Sequence, residues 1–354
     1  MTSSPGEFSA ETAGGVAVAP AVRTAGAARG PWRTGFAQIG RNRPAVVSAV
    51  VLVVVVVACV GAPFYAGHIA HTDPFASNLG GTTVVGGQQV PVIAASTEGL
   101  GLGSTPIGPT WDPAHFMLGA DGQGRDIAAR LLYGGRNSLL IGFASAVLSC
   151  LVAGVLGIVA GYFGGFVDGV LSRVFDVIWA FPVYLLGISL SIVLIGSGLS
   201  LGPVTITSGS LWLPILIIGA IFVPYIGRPI RGQVLSLRER DFVSAAIGLG
   251  ASDARIMRRD ILPNVLPTIV VFLPLMTAVN MLTESALSFL SIGVQPPQAS
   301  WGTIINDGLG LLYTRPAVAL APGLALVLTA VALNVLGDGV RDALDPQARL
   351  RGAG

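Results

Sequence analysis

DFVSAAIGLGASDARIMRRDILPN, residues Asp241 to Asn264, is too polar to lie in lipid, although most of the surrounding chain is apolar enough to do so. Val243, Ala246 and Ile247 follow the i, i+3, i+4 spacing of one helical face, which predicts a short helix. Gly250 supplies a residue that tolerates the left-handed conformation common at helix C-termini. The sequence therefore predicts a short helix that ends at a glycine turn.

A second short helix is predicted after this turn. Ser252 can cap it, and Asp253 would lie in its first turn, where negative charge is favourable. Leu262-Pro263 is expected to end it, because the residue before a proline is disfavoured in the α conformation. Two short helices joined by a glycine turn, between two apolar runs of membrane length, would suit docking into a groove on another protein. The alternative is a basic loop without a docking partner.

Composition places the chain in the membrane class. Of its 354 residues, 52% are hydrophobic and only 11% are charged, whereas soluble domains carry about 25% charged residues. The net charge of +2 is too small to indicate nucleic acid as a partner. The sequence contains no lysine, and a Walker A loop needs one for the nucleotide phosphates. The chain is therefore not expected to be a P-loop ATPase by itself.

Six apolar stretches are each long enough to cross about 30 Å of hydrocarbon, which predicts an all-α membrane protein. They lie near residues 45–66, 138–162, 174–195, 211–230, 265–292 and 317–336. With both termini in the cytoplasm, basic residues would be concentrated inside, as the positive-inside rule requires. The arginines left outside would be Arg125, Arg130, Arg136 and Arg315.

Two of these stretches carry more specific signals. In the second, small residues at helical spacing predict close packing against another helix. They are Ala146, Ser149, Ala153 and Gly157. In the third, Ala180-Phe181-Pro182 predicts a kink.

The resulting organisation has five parts. They are a disordered cytoplasmic tail (1–40), a first span (41–66), an extracytoplasmic segment (67–135), a core of five spans that includes the cytoplasmic loop 238–264 (136–340), and a C-terminal cytoplasmic tail (341–354).

The extracytoplasmic segment contains the motif LGADGQGRD, Leu118 to Asp126. Its glycines permit tight turns, and Arg125 beside Asp126 can tie those turns together. This predicts a structural clamp at the outer mouth, with direct contact to a solute as the alternative. The candidate residues are Gly119, Asp121, Gly124, Arg125 and Asp126. No function is predicted for residues 80–109, and His68, His71 and His115 lack convincing metal-ligand spacing.

Polar side chains within the apolar stretches are the remaining candidates, because they are costly in lipid and face a bundle interior or a cavity. Asn280 and Glu284 are four residues apart, so both lie on one helical face. They could hydrogen-bond neighbouring helices, which is the favoured interpretation, or line a solute path. Asn334 has the same two interpretations. No nucleophile–base pair or metal-ligand cluster is found that would indicate an enzyme.

Ala245-Ala246, Gly250 and Leu262-Pro263 resemble the coupling-loop signature of permease subunits of binding-protein-dependent ABC importers. The longer stretch GASDARIMRRDILPN, the motif at Leu118 to Asp126 and GYFGGFVD further along are similar to the dipeptide, oligopeptide and nickel branch. Ser244 stands where the signature has Glu, so no ion pair to the ATPase is expected from that position. The coupling residues would be Val243, Ser244, Ala245, Ala246, Ile247, Gly250, Ser252, Arg255, Arg258, Arg259, Leu262 and Pro263.

The resemblance implies the type I ABC importer permease fold and half of a pore for di- or oligopeptides, in the bacterial plasma membrane. Nickel chelates and glutathione are the alternative solutes. The implied partners are a second permease chain, two ATPase subunits, an extracytoplasmic binding protein and membrane lipid. ATP and Mg would be bound by the ATPase subunits, with no cofactor in this chain. An ATP-independent secondary transporter or channel is the alternative from another class.

Overall fold

The computed structural model describes residues 39–40, 42–96, 103–201, 204–207 and 209–344. The expectations for the two tails therefore lie almost entirely outside the described residues. The main helices are α1 Arg43–Val60, α2 Ile127–Phe163, α3 Gly165–Trp179, α4 Val183–Ser197, α5 Trp212–Ile221, α6 Val223–Arg238, α7 Asp241–Gly248, α8 Asp253–Phe289, α9 Trp301–Asp307 and α10 Ala317–Leu344.

Helix α2 is the central element of the fold, and it packs against α6, α8 and α5. It begins at Ile127, well before the apolar stretch predicted from residue 138, because Asp126 caps it. The Asp126 side chain accepts hydrogen bonds from the backbone N–H groups of Ala128 (2.8 Å) and Ala129 (3.2 Å). With 37 residues the helix is about 55 Å long, so its two ends lie far apart.

Small residues let α2 approach its neighbours closely, as the sequence predicted. Ala146, Ser149 and Ala153 are buried. A Cβ atom added to Gly157 would lie 2.8 Å from Ile230 of α6, and one added to Gly142 would lie 2.9 Å from Met281 of α8. Larger side chains at these glycines would push the helices apart.

Four helices are long and apolar enough to span a membrane among the described residues, and up to six if two bent pairs each form one span. The pair α3 and α4 bends by 87° at the predicted Ala180-Phe181-Pro182 site. The bend is sharper than a kink, because Pro182 has left the α conformation and the chain starts a new helix at Val183. The pair α5 and α6 bends by 42°.

The chain is mostly helical, but the all-α expectation needs a correction. Two antiparallel strand pairs lie within residues 80–109, for which no function was predicted, and a third pair follows α4. The strands are β1 Thr82–Val85 with β2 Gln88–Pro91, β3 Ile93–Ala95 with β4 Ser104–Pro106, and β5 Leu199–Leu201 with β6 Val204–Ile206. In the first hairpin, Gly86 and Gly87 both have positive φ angles, which a tight two-residue turn requires.

The two ends of the described chain meet at one end of the helix bundle. A Cβ atom added to Gly339 of α10 would lie 2.6 Å from the Cβ of Ala45, in the first turn of α1. Cys59, at the opposite end of α1, lies against Gly135 near the start of α2. Helices α1 and α2 are therefore antiparallel, and the start of α1 lies beside the end of α10.

Candidate functional site

The 241–264 segment forms the predicted helix, glycine turn and second helix. Helix α7 ends at Gly248, and Gly250 has a φ of 75°, as its position after the helix required. Gly250 N–H donates to Ile247 O (2.9 Å), and Ala251 N–H donates to Ala246 O (3.1 Å). Ser252 holds the N-cap position of α8, but its side chain makes no capping hydrogen bond.

The predicted end of the second helix at Leu262-Pro263 is wrong. Leu262 has φ −52° and ψ −45°, so it is fully helical, and the helix runs on to Phe289. A five-residue π-helical turn, Met257–Ile261, precedes the proline. Its wider hydrogen-bond pattern lets the helix continue where Pro263 cannot donate a backbone N–H.

The predicted docking face of α7 is divided between the interior and the surface. Val243 is fully buried in the main core, which corrects its assignment to a docking face, and Ala246 is half-buried against the same core. Ser244, Ala245 and Gly250 are exposed. The large apolar side chains left exposed are Phe242, Ile247 and Leu249, of which Leu249 is 88% exposed. We call these three residues the apolar tip.

Polar contacts fix this segment to the end of α2. Tyr162 Oη donates to Asp253 Oδ1 at 2.7 Å, and Arg238 Nη1 donates to the backbone oxygen of Tyr162 at 2.9 Å. Arg255, Arg258 and Arg259 are exposed, and none belongs to an ion pair within the described residues. The segment is thus attached to the protein core by buried and polar contacts, and it presents the apolar tip and three arginines at the protein surface.

Glu284 lies in the centre of a buried serine network. Its side chain is fully buried in α8, and none of the ion pairs among the described residues includes it. Ser138 Oγ of α2 donates to Oε2 at 2.9 Å, and Ser288 Oγ donates to Oε1 at 2.6 Å. Ser285 Oγ adds a longer bond of 3.3 Å. The carboxyl group therefore joins α2 to α8 through hydroxyl donors.

The two serines closest to Glu284, Ser138 and Ser288, both donate hydrogen bonds to its carboxyl group. Ser138 Oγ accepts from Trp301 N–H at 3.1 Å, and Ser288 Oγ accepts from Val294 N–H at 2.9 Å. A hydroxyl group has a single proton, and each of these serines uses its own hydroxyl proton to donate a hydrogen bond to the carboxyl group. Glu284 thereby orders the loop after α8 and the start of α9.

The other two polar candidates lie in different surroundings. Asn280 is buried, and its Nδ2 donates to Ser145 Oγ of α2 at 3.0 Å, whereas its Oδ1 has no hydrogen-bond partner among the described residues. Asn280 and Glu284 therefore face the same helix, as their spacing predicted. Asn334 is exposed on α10, away from the buried positions of Asn280 and Glu284.

At the other end of α2, the glycine-rich motif forms an ion-pair cluster of Asp121, Arg125, Arg130 and Asp307. Arg125 Nε donates to Asp121 Oδ2 at 2.6 Å and its Nη2 to Asp307 Oδ2 at 2.8 Å. Arg130, which is 2% exposed, also donates to Asp307 at 2.8 Å and lies 3.5 Å from Asp121. Asp121 further accepts from the backbone N–H groups of Gln123 and Arg125.

Arg125 ties the glycine turns to Asp121 and Asp307, whereas Asp126 points into the start of α2 and caps it. Thr72 Oγ1 also donates to Asp126, at 3.2 Å. Burial raises the pKa of the Asp126 carboxyl, and the hydrogen bonds it accepts oppose that shift. Gly119 and Gly124 have positive φ angles of 84° and 74° and lie against backbone, so side chains would not fit there.

Sequence reasoning missed several residues of these sites. Asp307 lies 182 positions from its partner Arg125, and Ser138 lies 146 positions from Glu284, so no local pattern marks either pair. Leu249 could have been found, since it is a large apolar residue directly beside the glycine turn. Among the described residues, no group of three or more His, Cys, Asp or Glu side chains is placed to hold a metal ion.

The structure combines a polar network in the interior with an apolar tip and an ion-pair cluster, which lie at opposite ends of α2. This combination suits a membrane component that works with other proteins. The model of the family described as binding-protein-dependent transport system inner membrane component matches residues 153–350. The chain belongs to this family. A second model, the N-terminal TM domain of oligopeptide transport permease C, matches residues 30–80. The resemblance of the sequence motifs to binding-protein-dependent permeases is confirmed.

Curated relatives of this inner membrane component cover most of the chain. The dipeptide transport system permease protein of Alkalihalophilus pseudofirmus is 32% identical, over 90% of this chain and 91% of the relative. The glutathione transport system permease protein of Pectobacterium atrosepticum is 38% identical over 67% of this chain and 74% of its own. The oligopeptide transport system permease protein of Haemophilus influenzae is 37% identical over 68% and 73%.

Among solved structures, an inward-facing conformation of the MetNI methionine ABC transporter is similar at a TM-score of 0.48 and 18% identity. It covers 61% of this chain and 96% of that chain.

Proposed function

We propose that this chain forms half of the translocation pathway of an ATP-driven importer for di- and oligopeptides. Its partners would be a second permease chain, two ATPase subunits that bind ATP and Mg, and an extracytoplasmic binding protein. The chain would cross the bacterial plasma membrane six times, with both termini and the 241–264 segment in the cytoplasm. The segment would then act as the coupling loop that contacts the ATPase.

The apolar tip carries this proposal. Ile247 in α7 and Leu249 directly after it are exposed at 57% and 88%, although α7 is anchored through buried Val243. A water-exposed apolar surface on a rigidly held helix is typical of a protein–protein contact. Arg255, Arg258 and Arg259 beside it would contribute charge complementarity, since Ser244 offers no carboxylate.

The names of the relatives support peptides as the solute class, since two of the three relatives described above are dipeptide and oligopeptide permeases. Glutathione import is the runner-up, because the Pectobacterium relative carries that name at 38% identity. Nickel-chelate import has only the motif resemblance in its favour. An ATP-independent transporter would need neither an ATPase nor a docking tip, and the family favours the importer over it.

Leu249→Ser is expected to abolish most solute-stimulated ATP hydrolysis without lowering the amount of inserted protein. The side chain is exposed, so its loss removes contact area with the ATPase and leaves the core intact. Gly250→Val should have a similar effect, because a β-branched residue is strained at a φ of 75°. The measurement is ATPase activity of the reconstituted importer, together with co-purification of the ATPase subunit.

Ser236→Ala is the matched control, because this residue is exposed on α6 and does not belong to the 241–264 segment. The control should retain normal coupling. Normal stimulation in Leu249→Ser and Gly250→Val would show that this loop is not the coupling element. Peptide uptake that persists without the ATPase would favour the ATP-independent class.

Reporter fusions test the topology. A fusion at Gly80 or Ser200 should report the extracytoplasmic side, and one at Asp253 the cytoplasmic side. The end of α10 lies beside the start of α1, and Asp253 contacts the end of α2, which is antiparallel to α1. A fusion after Leu344 should therefore report the same side as one at Asp253. An extracytoplasmic report from Asp253 would remove the basis for a coupling role.

A further inference from the structure

Strands β1 to β4 and the residues that follow β4 line an open cavity that the proposed transport function does not use. Its volume is about 500 Å³, within the range of small-molecule sites. Strands β1 to β4 and residues 107–110 form most of its wall, and Arg315 completes the lining. The lining is predominantly apolar, with Val85, Val90, Pro91 and Ala94 among the contributing side chains.

The cavity belongs to the end of the molecule that carries the ion-pair cluster. Ala120 N–H donates to Ile107 O at 3.0 Å, and Ile107 N–H donates to Val92 O at 2.8 Å, which connects the hairpins to the glycine-rich motif. A Cβ atom on Gly119 would lie 2.7 Å from the same Ile107 oxygen. The hairpins are therefore packed on the motif by backbone contacts rather than joined to it only through the chain.

Arg315 contributes a charge that no acidic side chain among the described residues pairs with. Its Nε donates to Pro106 O at 2.6 Å and its Nη1 to Thr314 O at 2.8 Å, which orients the guanidinium group. No Asp or Glu among the described residues forms an ion pair with it, whereas Arg125 and Arg130 share Asp121 and Asp307. Both bonds of Arg315 go to neutral backbone oxygens, and a guanidinium group has five N–H donors, so donors remain for a ligand.

One further polar group lines the wall. Thr105 of β4 is half-buried, and its hydroxyl takes part in no hydrogen bond within the described structure. The hydroxyl of Thr110, by contrast, is occupied by the backbone oxygens of its own loop. The cavity thus combines apolar walls, an oriented guanidinium group and a free hydroxyl.

We propose that this hairpin cavity binds a small apolar molecule that ends in a carboxylate. A guanidinium group pairs with a carboxylate through two parallel hydrogen bonds, and such charge-assisted bonds are stronger than neutral ones. The apolar walls would take the remainder of the molecule, and Thr105 would bind a second polar group. The carboxylate can come from the C-terminus of a short peptide or from a medium-chain fatty acid.

The test is calorimetric titration of the full chain in lipid nanodiscs with trialanine, trialanine C-terminal amide and octanoate. The acid form of trialanine is expected to bind about ten- to 100-fold more tightly than the amide, the difference expected for hydrogen bonds to a charged group. Binding of octanoate without trialanine would assign the site to fatty acids, and the reverse would assign it to peptides. Equal binding of acid and amide, or no binding of any probe, would overturn the proposal.

Substitutions in and outside the hairpin cavity test whether the probes bind there. Arg315→Gln should remove the preference for the acid, and Arg315→Lys should retain part of it, which separates charge from the support that Arg315 gives to Pro106. Ala94→Trp should block all probes by filling the cavity from an exposed strand position. Arg136→Gln, at an exposed arginine of α2 outside the cavity, should bind normally. An unchanged acid preference in Arg315→Gln would contradict the proposal. Because this site is separate from the apolar tip, its failure would leave the importer proposal intact.

Discussion

Asp121→Ala is expected to destabilise the end of the protein that carries the ion-pair cluster by about 3–5 kcal/mol, the usual cost of breaking a buried ion pair. Asp121 is fully buried and contacts Arg125 at 2.6 Å and Arg130 at 3.5 Å. Its removal leaves Asp307 as the only acid of the cluster. The backbone N–H groups of Gln123 and Arg125 would also lose their acceptor. Arg130, which is 2% exposed, cannot turn to water to recover the loss.

Thermal unfolding of the detergent-purified protein measures this effect. Asp121→Asn should lie between the alanine variant and the unmodified protein, because it keeps an acceptor oxygen and loses the charge. Asp112→Ala provides the matched control, since Asp112 is exposed and its carboxylate bonds to Ala114 N–H and His115 in the same loop. A thermal midpoint of Asp121→Ala equal to that of Asp112→Ala would mean that the cluster does not stabilise the fold.

Glu284→Leu is expected to lower both the stability and the amount of assembled importer. The hydroxyl protons of Ser138 and Ser288 would have no acceptor, and each unsatisfied buried group costs about 1–3 kcal/mol. The two serines also hold the backbone N–H groups of Trp301 and Val294, so the loop before α9 should become less ordered. Glu284→Gln keeps one acceptor oxygen and should have a smaller effect.

Two measurements distinguish helix packing from a role in the solute path. Hydrogen exchange at residues 290–301 should increase in Glu284→Leu and change less in Glu284→Gln. The matched control is Glu239→Gln, at an exposed glutamate after α6, which should leave this exchange unchanged. A glutamine variant that assembles and exchanges normally, but fails to transport charged solutes alone, would assign Glu284 to the solute path instead.

Local sequence signals predicted the conformation of the 241–264 segment well where a single residue decides it. Gly250 was expected in the left-handed region and has a φ of 75°, because few other residues tolerate it. Pro182 was expected to disturb its helix, and the chain bends there by 87°. Pro263 misled the same reasoning, because a π-helical turn before it accommodates the missing N–H donor. A proline removes one backbone hydrogen bond of a helix, and the conformation of the neighbouring turns determines whether the helix continues past it.

The sequence by itself determined that this chain is a membrane component with a polar segment between apolar runs, since hydrophobicity and glycine or proline conformation act within a few residues. The tertiary structure decided which face of α7 is buried, because Val243 and Ile247 carry the same apolar signal and only the packed core separates them. It also decided the partners of Arg125 and Glu284. Those partners, Asp307 and Ser138, are distant in sequence, and burial selects such pairs because an unpaired polar group costs more inside the protein than in water.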